Sequence, residues 1–456
     1  MSQVAMVPPG VSLPSSPLEA STVSVPVERL LEGHQLREAV HDGRGVLLLA
    51  AGSTITSRFK ELLRKRGDRA VSTAAVDAQV FAEARTRDVV DGPASDPGYP
   101  PATRQLVAAI EQQVEGGGLL VKNTGPPLAD RVRRRGRVRY DGPMVELHRF
   151  GQRAHAHTVG DLMGRVHGGS RVESHPLMTA AAETLDMLIE DADCAVATAL
   201  NDLDRTSLSD HALRTSILAM AIGIETGFDD ANVQLLGLCG LIHDWGMCKV
   251  RPSLLETPET LHAVDFLEIK KHPIRTLEML QNVSGLPTLA GLVCYQVHER
   301  PDGGGYPRGR KTPQIHPFAR ILHVADTFSA LLGERPYRDP LMPAAAMECL
   351  LALSAEDKLD ADAVRRTVAV LSMFPPGSWV QLADGRIARV LRRNGHHTTA
   401  PILEVLAGRW GDDIDPDSTG EILDPLEASV GIKRAIPRAD RVESELSGED
   451  IDRSRR

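Results

Sequence analysis

From Val172 onward the apolar positions recur with a period of about 3.6 residues, the spacing of an amphipathic helix. Leu177, Ala180, Ala181, Leu185, Leu188 and Ile189 form one stripe, with Pro176 at its start. Leu213, Ile217, Met220, Ala221 and Ile224 form another, closed by Gly227. Val233 to Ile242 is apolar on every side, which predicts a central helix, and Phe266 to Leu280, Leu286 to Val297, Phe318 to Leu332 and Ala344 to Leu353 continue the series. The prediction is an all-α bundle over 166–373. Upstream, Val46-Leu47-Leu48-Leu49-Ala50 reads as a buried strand, Gly52 as its turn, and Thr56 as the N-cap of a helix whose Phe59, Leu62 and Leu63 share a face. Gly67 ends that helix and Arg69 to Ser72 returns as a short strand, giving a small α/β sensor or docking unit over 25–85. The pattern is weak over 86–165, which reads as a linker or irregular region. At Phe374-Pro375-Pro376-Gly377 the period shortens. Trp379, Val380 and Leu382, an Asp384-Gly385 turn, then Ile387, Val390 and Leu391 predict a hairpin within a small β unit over 374–435. Residues 1–24 and 436–456 read as a disordered leader and tail. The fold class is therefore multi-domain and mainly α, a helical bundle flanked by a small α/β unit and a small β unit.

Composition narrows the function. A net charge of −9 and only 4% aromatic residues argue against a nucleic-acid binder, which needs cations for phosphates and rings for bases. Met1 to Val25 has no lysine or arginine, unlike a signal peptide, and no apolar run approaches the roughly 20 residues of a membrane helix. A cytoplasmic protein with no membrane span is expected. The five cysteines are scattered without a CxxC pair, as in free thiols of a reducing compartment. One basic run, Arg131 to Arg139, holds six arginines in nine residues. It could meet an anion such as a nucleotide phosphate, but such a run more often forms a solvated strand or an interdomain face.

The candidate chemistry lies in His298-Glu299-Arg300-Pro301-Asp302-Gly303-Gly304-Gly305-Tyr306-Pro307, where an imidazole, two carboxylates and a glycine run meet in a shaped loop. His211, His243-Asp244, His272 and Asp326 each sit on or at the end of a predicted helix facing the same core. A lone His-Asp dipeptide means little, as His41-Asp42 illustrates within this chain, and His396-His397, His262, His316 and His323 are set aside on the same ground. Together, however, the five positions and the loop point to a metal centre. Neutral imidazoles and carboxylates without thiolate suit iron, manganese or another borderline metal, and a carboxylate beside a histidine can bridge two ions.

With those residues assembled, the stretch from about 200 to 350 resembles the HD-GYP family, the branch of the HD superfamily known for cyclic di-GMP phosphodiesterases. The matching text is His211 in SerAspHisAlaLeuArg, HDWG at 243–246, KHPIRTLEML at 271–280, HERPDGGGYPRGR at 298–310, ARILHVADTFSALL at 319–332 and ERPYR at 334–338. The resemblance implies one or two divalent ions, with His211, His243, Asp244 and Asp326 holding the first, and Asp244, His272 and His298 the second. It implies Asp244 as the catalytic, shared ligand, and Gly305, Tyr306, Arg335 and Arg338 as contacts to the nucleotide. The implied reaction is in-line attack on phosphorus with departure of the 3′ oxygen, turning cyclic di-GMP into linear pGpG or GMP. Four positions depart from the family pattern. Val297 stands where HHE is usual, Met247 where a lysine follows the HD motif, Ser329 where an aspartate is usual, and Ser207 where some members place a glutamate for a third metal. These keep open a second reading, a degenerate domain that senses a cyclic dinucleotide or presents its loop to a protein partner such as a diguanylate cyclase.

Overall fold

Which elements the pattern builds is seen in a computed structural model, which describes residues 22–31, 33–42, 46–50, 52–66, 69–74, 77–78, 100–117, 119–257, 263–336, 338–409 and 419–437. Most of the expected leader and tail, together with Gly67 and His262, lies outside the described residues. The chain divides into two units, 1–91 with 261–267, and 92–260 with 268–456.

In the first unit, β1 (Thr22–Pro26), β2 (Val40–His41), β3 (Leu47–Leu49) and β4 (Ala70–Ala74) form an antiparallel sheet in the order β1-β4-β2-β3, accompanied by α1 (Ser57–Arg66). Residues 22–24, read as part of the leader, belong to β1 instead. Val23 and Val25 flank Ser24, a short alternation, and Val25 is buried against the core. The leucine run is not a buried strand either: β3 is at the sheet edge, and Leu47 is 55% exposed. A continuous apolar run signals burial only where both faces are covered. On α1, Thr56 Oγ1 accepts the Phe59 amide at 3.1 Å and Leu63 is buried, but Leu62 is exposed. Lys60 takes the inward place, sending Nζ to the Leu30 carbonyl at 3.0 Å.

The second unit opens with two helices where a linker was expected: α2 (Pro101–Glu115) and α3 (Gly142–His167). The buried face of α3 is His148, Gln152, His155, Ala156, Val159, Leu162 and Val166. Its spacing is helical, but polar side chains fill three of the seven places, so hydrophobic periodicity does not register it. Gln152 Nε2 donates to Ala195 O and Thr198 Oγ1, and His155 bonds Glu183, so the Gln152 amide nitrogen and the His155 ring find partners within the bundle. Then follow β5 (Val172–Glu173), α4 (His175–Asn201), α5 (Leu208–Thr226), α6 (Asp230–Ile242), α7 (Pro252–Leu255), α8 (Ala263–Ile269), whose residues up to 267 belong to the first unit, and α9 (His272–Leu280). After β6 (Val283–Ser284), which pairs parallel with β5, come α10 (Thr288–Gln296), α11 (Pro317–Leu332), α12 (Pro343–Ala355) and α13 (Ala361–Leu371). The single helix expected over 266–280 is broken at Lys270-Lys271, because Pro273 has no amide to continue the ladder and sits in the first turn of α9. Helix α5 is central. Its Leu213, Ile217, Leu218 and Met220 are buried among α3, α4, α6, α11 and α13. Each such side chain contributes roughly 1.5–3 kcal/mol by leaving water.

The described residues end in a five-stranded antiparallel sheet of β7 (Trp379–Leu382), β8 (Arg386–Arg392), β9 (Ile402–Arg409), β10 (Ile422–Leu423) and β11 (Ile432–Ile436), in the order β10-β9-β8-β7-β11. The arginine run straps this sheet to the bundle. Side chains along the run meet acids: Arg131 with Asp230, Arg133 and Arg135 with Glu190, Arg137 with Asp424 and Glu427, and Arg139 with Glu404. Beneath it, Arg392 is buried and grips Asp191 through two bonds of 2.6 and 2.7 Å, donates to Val138 O at 2.6 Å and lies 4.4 Å over the Tyr140 ring. Asp191 stands where α4 breaks, with φ −157° and ψ 88°, and its carboxylate accepts the Cys194 amide that restarts the helix. His396 and His397 are exposed in a turn of the sheet.

His316 caps α11, its Nδ1 accepting the Phe318 amide at 3.1 Å. Burial, with Arg320 nearby, holds its pKa down to about 4. A depressed histidine stabilises the fold when neutral, so its contribution is intact above about 6.5 and fades as the pH falls toward about 4. The expected result is that urea midpoints of the wild type drop across that window. His316→Asn, which caps without titrating, should show a shallower drop, and His316→Ala should lose about 1 kcal/mol at neutral pH.

Candidate metal centre

Five separate elements bring the chemistry together. His211 comes from the first turn of α5, His243-Asp244 from the end of α6, His272 from the start of α9, His298 from just beyond α10, and Asp326 from the middle of α11. The turn after Asp244 can lie against α9 because position 246 is glycine. A Cβ there would run into His272 O and the Thr276 amide, whereas Gly246 instead donates to Thr276 Oγ1 at 2.9 Å. Thr276 Oγ1 donates in turn to His243 O at 3.0 Å, tying the His-Asp pair to the helix that carries His272.

The result is two ligand sets that share one carboxylate. Ligand atoms of His211, His243, Asp244 and Asp326 lie within 4.8 Å of one another, as do those of Asp244, His272 and His298. His211 Nε2 is 3.0 Å from Asp326 Oδ1, and His272 Nε2 is 3.2 Å from Asp244 Oδ1. His243 Nε2 is 3.6 Å from both Asp244 and Asp326. The supporting bonds aim these nitrogens. His243 Nδ1 donates to Gly240 O and His272 Nδ1 to Ile269 O, each at 2.8 Å, which leaves the Nε2 lone pairs of the neutral rings facing inward. His211 Nδ1 is held by Ser329 Oγ at 3.1 Å.

The donor set fits a divalent cation on its own evidence. His243 Nε2 and Asp244 Oδ1 are buried with no hydrogen-bond partner, a state that costs about 1–3 kcal/mol per group unless something else satisfies it. Electrostatics agree. Burial pushes the Asp244 carboxyl up, but His243 and His272 hold it well below the usual carboxylate range. Burial pushes His243 down, and Asp244 with Asp326 lift it to about 9. Protons compete here for places that a cation can take.

The glycine loop closes one side. Tyr306 N donates to His298 O at 3.0 Å, and its ring stacks on His298 with centroids 4.9 Å apart and planes 19° apart. Gly305 is required by space: a Cβ would meet His298 O at 2.5 Å and the Arg300 amide closer still. Of the three glycines only Gly303 uses positive φ, at 81°. Glu299, buried and raised in pKa by that burial, accepts the amides of Arg308 and Arg310, each at 2.7 Å, and so pins the far end of the loop.

Sequence reasoning missed several neighbours. His323, set aside as incidental, lies 6.1 Å from His298 between ring centroids, and burial followed by His298 depresses its pKa to about 4. Its position one helical turn before Asp326 was a usable signal. Lys270 places Nζ 5.7 Å from the Tyr306 ring centroid, and Glu111 of α2 binds Arg308 and Arg310. No local pattern announces either.

Comparison with known proteins gives this arrangement a lineage. The HD domain profile matches residues 196–363. A cyclic di-GMP phosphodiesterase of Pseudomonas aeruginosa is 31% identical over 212 residues, covering 45% of this chain and 51% of that protein. A cyclic di-GMP phosphodiesterase of Borreliella burgdorferi is 24% identical over 226 residues, 50% of this chain and 59% of that protein. A 3′3′-cGAMP-specific phosphodiesterase of Vibrio cholerae is 34% identical over 128 residues, 28% of each chain. Residues 196–363 of the helical bundle form an HD domain of the HD-GYP kind. The chain spans about half the length of the first two relatives.

Within this HD-GYP domain the departures acquire positions. Val297 is fully buried in the apolar core beside His298. Met247 lies in the short 3-10 turn Trp245–Lys249 that follows Asp244. Ser329 orients His211, and Ser207 serves as the N-cap of α5, accepting the Asp210 amide at 3.3 Å. Arg335 is exposed in the loop after α11. Arg338 donates to the carbonyls of Ala330 and Leu331, closing the end of α11, so its guanidinium is engaged within the fold.

Proposed function

We propose that this protein is a metal-dependent phosphodiesterase that hydrolyses cyclic di-GMP to pGpG or GMP, using Asp244 as the ligand common to two ion sites. The observation that carries the reading is the convergence of both ligand sets on Asp244, whose inward oxygen is buried and unpartnered. Imidazole and carboxylate donors favour iron or manganese. Bound divalent ions supply Lewis acidity and neutralise charge on the phosphate oxygens. The residues do the rest. His211, His243, Asp244 and Asp326 on one side, and Asp244, His272 and His298 on the other, fix the ions. Tyr306 stays protonated, because burial and then Asp244 and Asp326 hold its pKa well above its usual value, and its hydroxyl can donate to a phosphate oxygen. Lys270 offers a cation beside Tyr306, standing in for the lysine that Met247 replaces. Arg335 is free to reach a phosphate from its exposed loop, with Arg338 holding that loop in place.

One observation favours a second reading, a cyclic-dinucleotide sensor or scaffold for a partner such as a diguanylate cyclase: Val297 is packed into the core where the family places a ligand histidine. Purified protein loaded anaerobically with iron or manganese separates the two. Release of pGpG or GMP supports the enzyme, whereas nucleotide binding without turnover, unchanged in His243→Ala, supports the sensor. Val297→His with Met247→Lys is expected to raise turnover, and no gain at full metal loading counts against those assigned positions. Gly305→Ala should lower turnover about 100-fold with the fold intact, since pushing the loop outward by even ~1 Å misplaces Tyr306. Steady-state kinetics beside a circular dichroism spectrum check this.

A further inference from the structure

We propose that Glu111 of α2, outside the matched HD domain, is the positioning residue that sets the GYP loop over the metal centre. The argument starts from burial. Glu111 is 8% exposed, and its carboxylate accepts from Tyr295 Oη at 2.8 Å, from Arg308 Nε at 2.8 Å and from the Arg310 guanidinium. Tyr295 belongs to α10, the helix that delivers His298, and the two arginines follow directly on Tyr306-Pro307. Glu299 holds the backbone of the same segment from the other side, so residues 308–310 are gripped by two carboxylates, one on main-chain amides and one on side chains. The segment cannot shift without breaking charge-assisted bonds on both. Tyr306, bonded and stacked onto His298, is carried by that segment.

The apolar face of α2 places the carboxylate. Val107, Ile110 and Val114 pack against Ile274 and Leu277 of α9 and against Leu292 and Tyr295 of α10. One helix therefore touches the carriers of His272, His298 and Tyr306 together. Any ligand or partner that displaces α2 would act on the loop without entering the centre.

The consequence for turnover rests on the phosphodiesterase reading, but the clamp itself does not, and the test separates them. In metal-loaded, full-length Glu111→Gln, amide hydrogen exchange at Arg308 and Arg310 should quicken at least tenfold, while α11 and the interior of α5 keep wild-type protection. For cyclic di-GMP, KM should rise about tenfold with kcat changing less, and hydrolysis of bis(p-nitrophenyl) phosphate, which needs no nucleotide wall, should be retained. Arg308→Gln with Arg310→Gln, which leaves α2 intact, should reproduce both effects if Glu111→Gln proves unstable. Wild-type exchange at 308–310 in both variants overturns the proposal, as does a uniform loss of protection across α5 and α11 in both. Faster exchange in a protein that never turns over the nucleotide leaves the clamp standing and removes the phosphodiesterase reading.

Discussion

Asp244→Ala is expected to empty both ion sites at once. Each of the other five ligands belongs to one set, but Asp244 belongs to both, with Oδ1 at 3.2 Å from His272 Nε2 and 3.6 Å from His243 Nε2. Losing a group that merely orients a ligand costs about 10–100-fold in metal affinity. Loss of the shared ligand should exceed that, and turnover should fall by about 10³-fold or more, the scale of removing a main electrostatic contributor. Metal content by mass spectrometry of the purified protein, beside His211→Ala as a single-set control, checks it. The control should keep part of its metal. Wild-type metal in Asp244→Ala would place the ions elsewhere.

The largest effect on stability is expected at Asp191. Its removal leaves Arg392, 1% exposed in its side chain, as a buried cation without its bidentate partner. Breaking a buried pair by deleting one member typically costs about 3–5 kcal/mol, because the desolvation of the remaining charge is no longer compensated. Asp191→Ala should therefore lose stability on that scale in urea titrations followed by tryptophan fluorescence. Asp191→Leu with Arg392→Met should recover most of it, since an apolar pair has no charge to desolvate. A deficit in Asp191→Ala below about 1 kcal/mol would mean that water, or Asp193 at 3.7 Å, compensates Arg392 in its place.

The helical domain was legible because its periodicity is carried by leucine, isoleucine and alanine, and because the histidines and aspartates fall at helix ends that face one core. All six metal-ligand candidates are brought together. What was not legible has specific causes. Helices α2 and α3 bury glutamate, glutamine and histidine along their inner faces, so a count of apolar residues passes over them. The leucines of β3 read as interior because composition does not say whether a strand has one neighbour or two. The arginine run carried no sign of its acids, which lie up to 290 positions away in Glu427. Arg338 matches a motif that suggests phosphate contact, yet its guanidinium meets backbone carbonyls, a pairing that only the turn after α11 creates. His323 shows the converse: it was discounted for want of a partner, and the helix supplies one.

The interruption of α4 at Asp191 bears on how the molecule can be cut. Residues 196–363, the portion recognised by pattern, begin inside that helix, after the break. A fragment trimmed to those limits would carry only the last turn and a half of α4, would lack the Arg392 side chain that seals it and would leave Tyr295 without the acid it contacts on α2. The recognisable module is thus narrower than the set of elements it packs against, and truncations meant to keep those contacts should be placed outside 100–437.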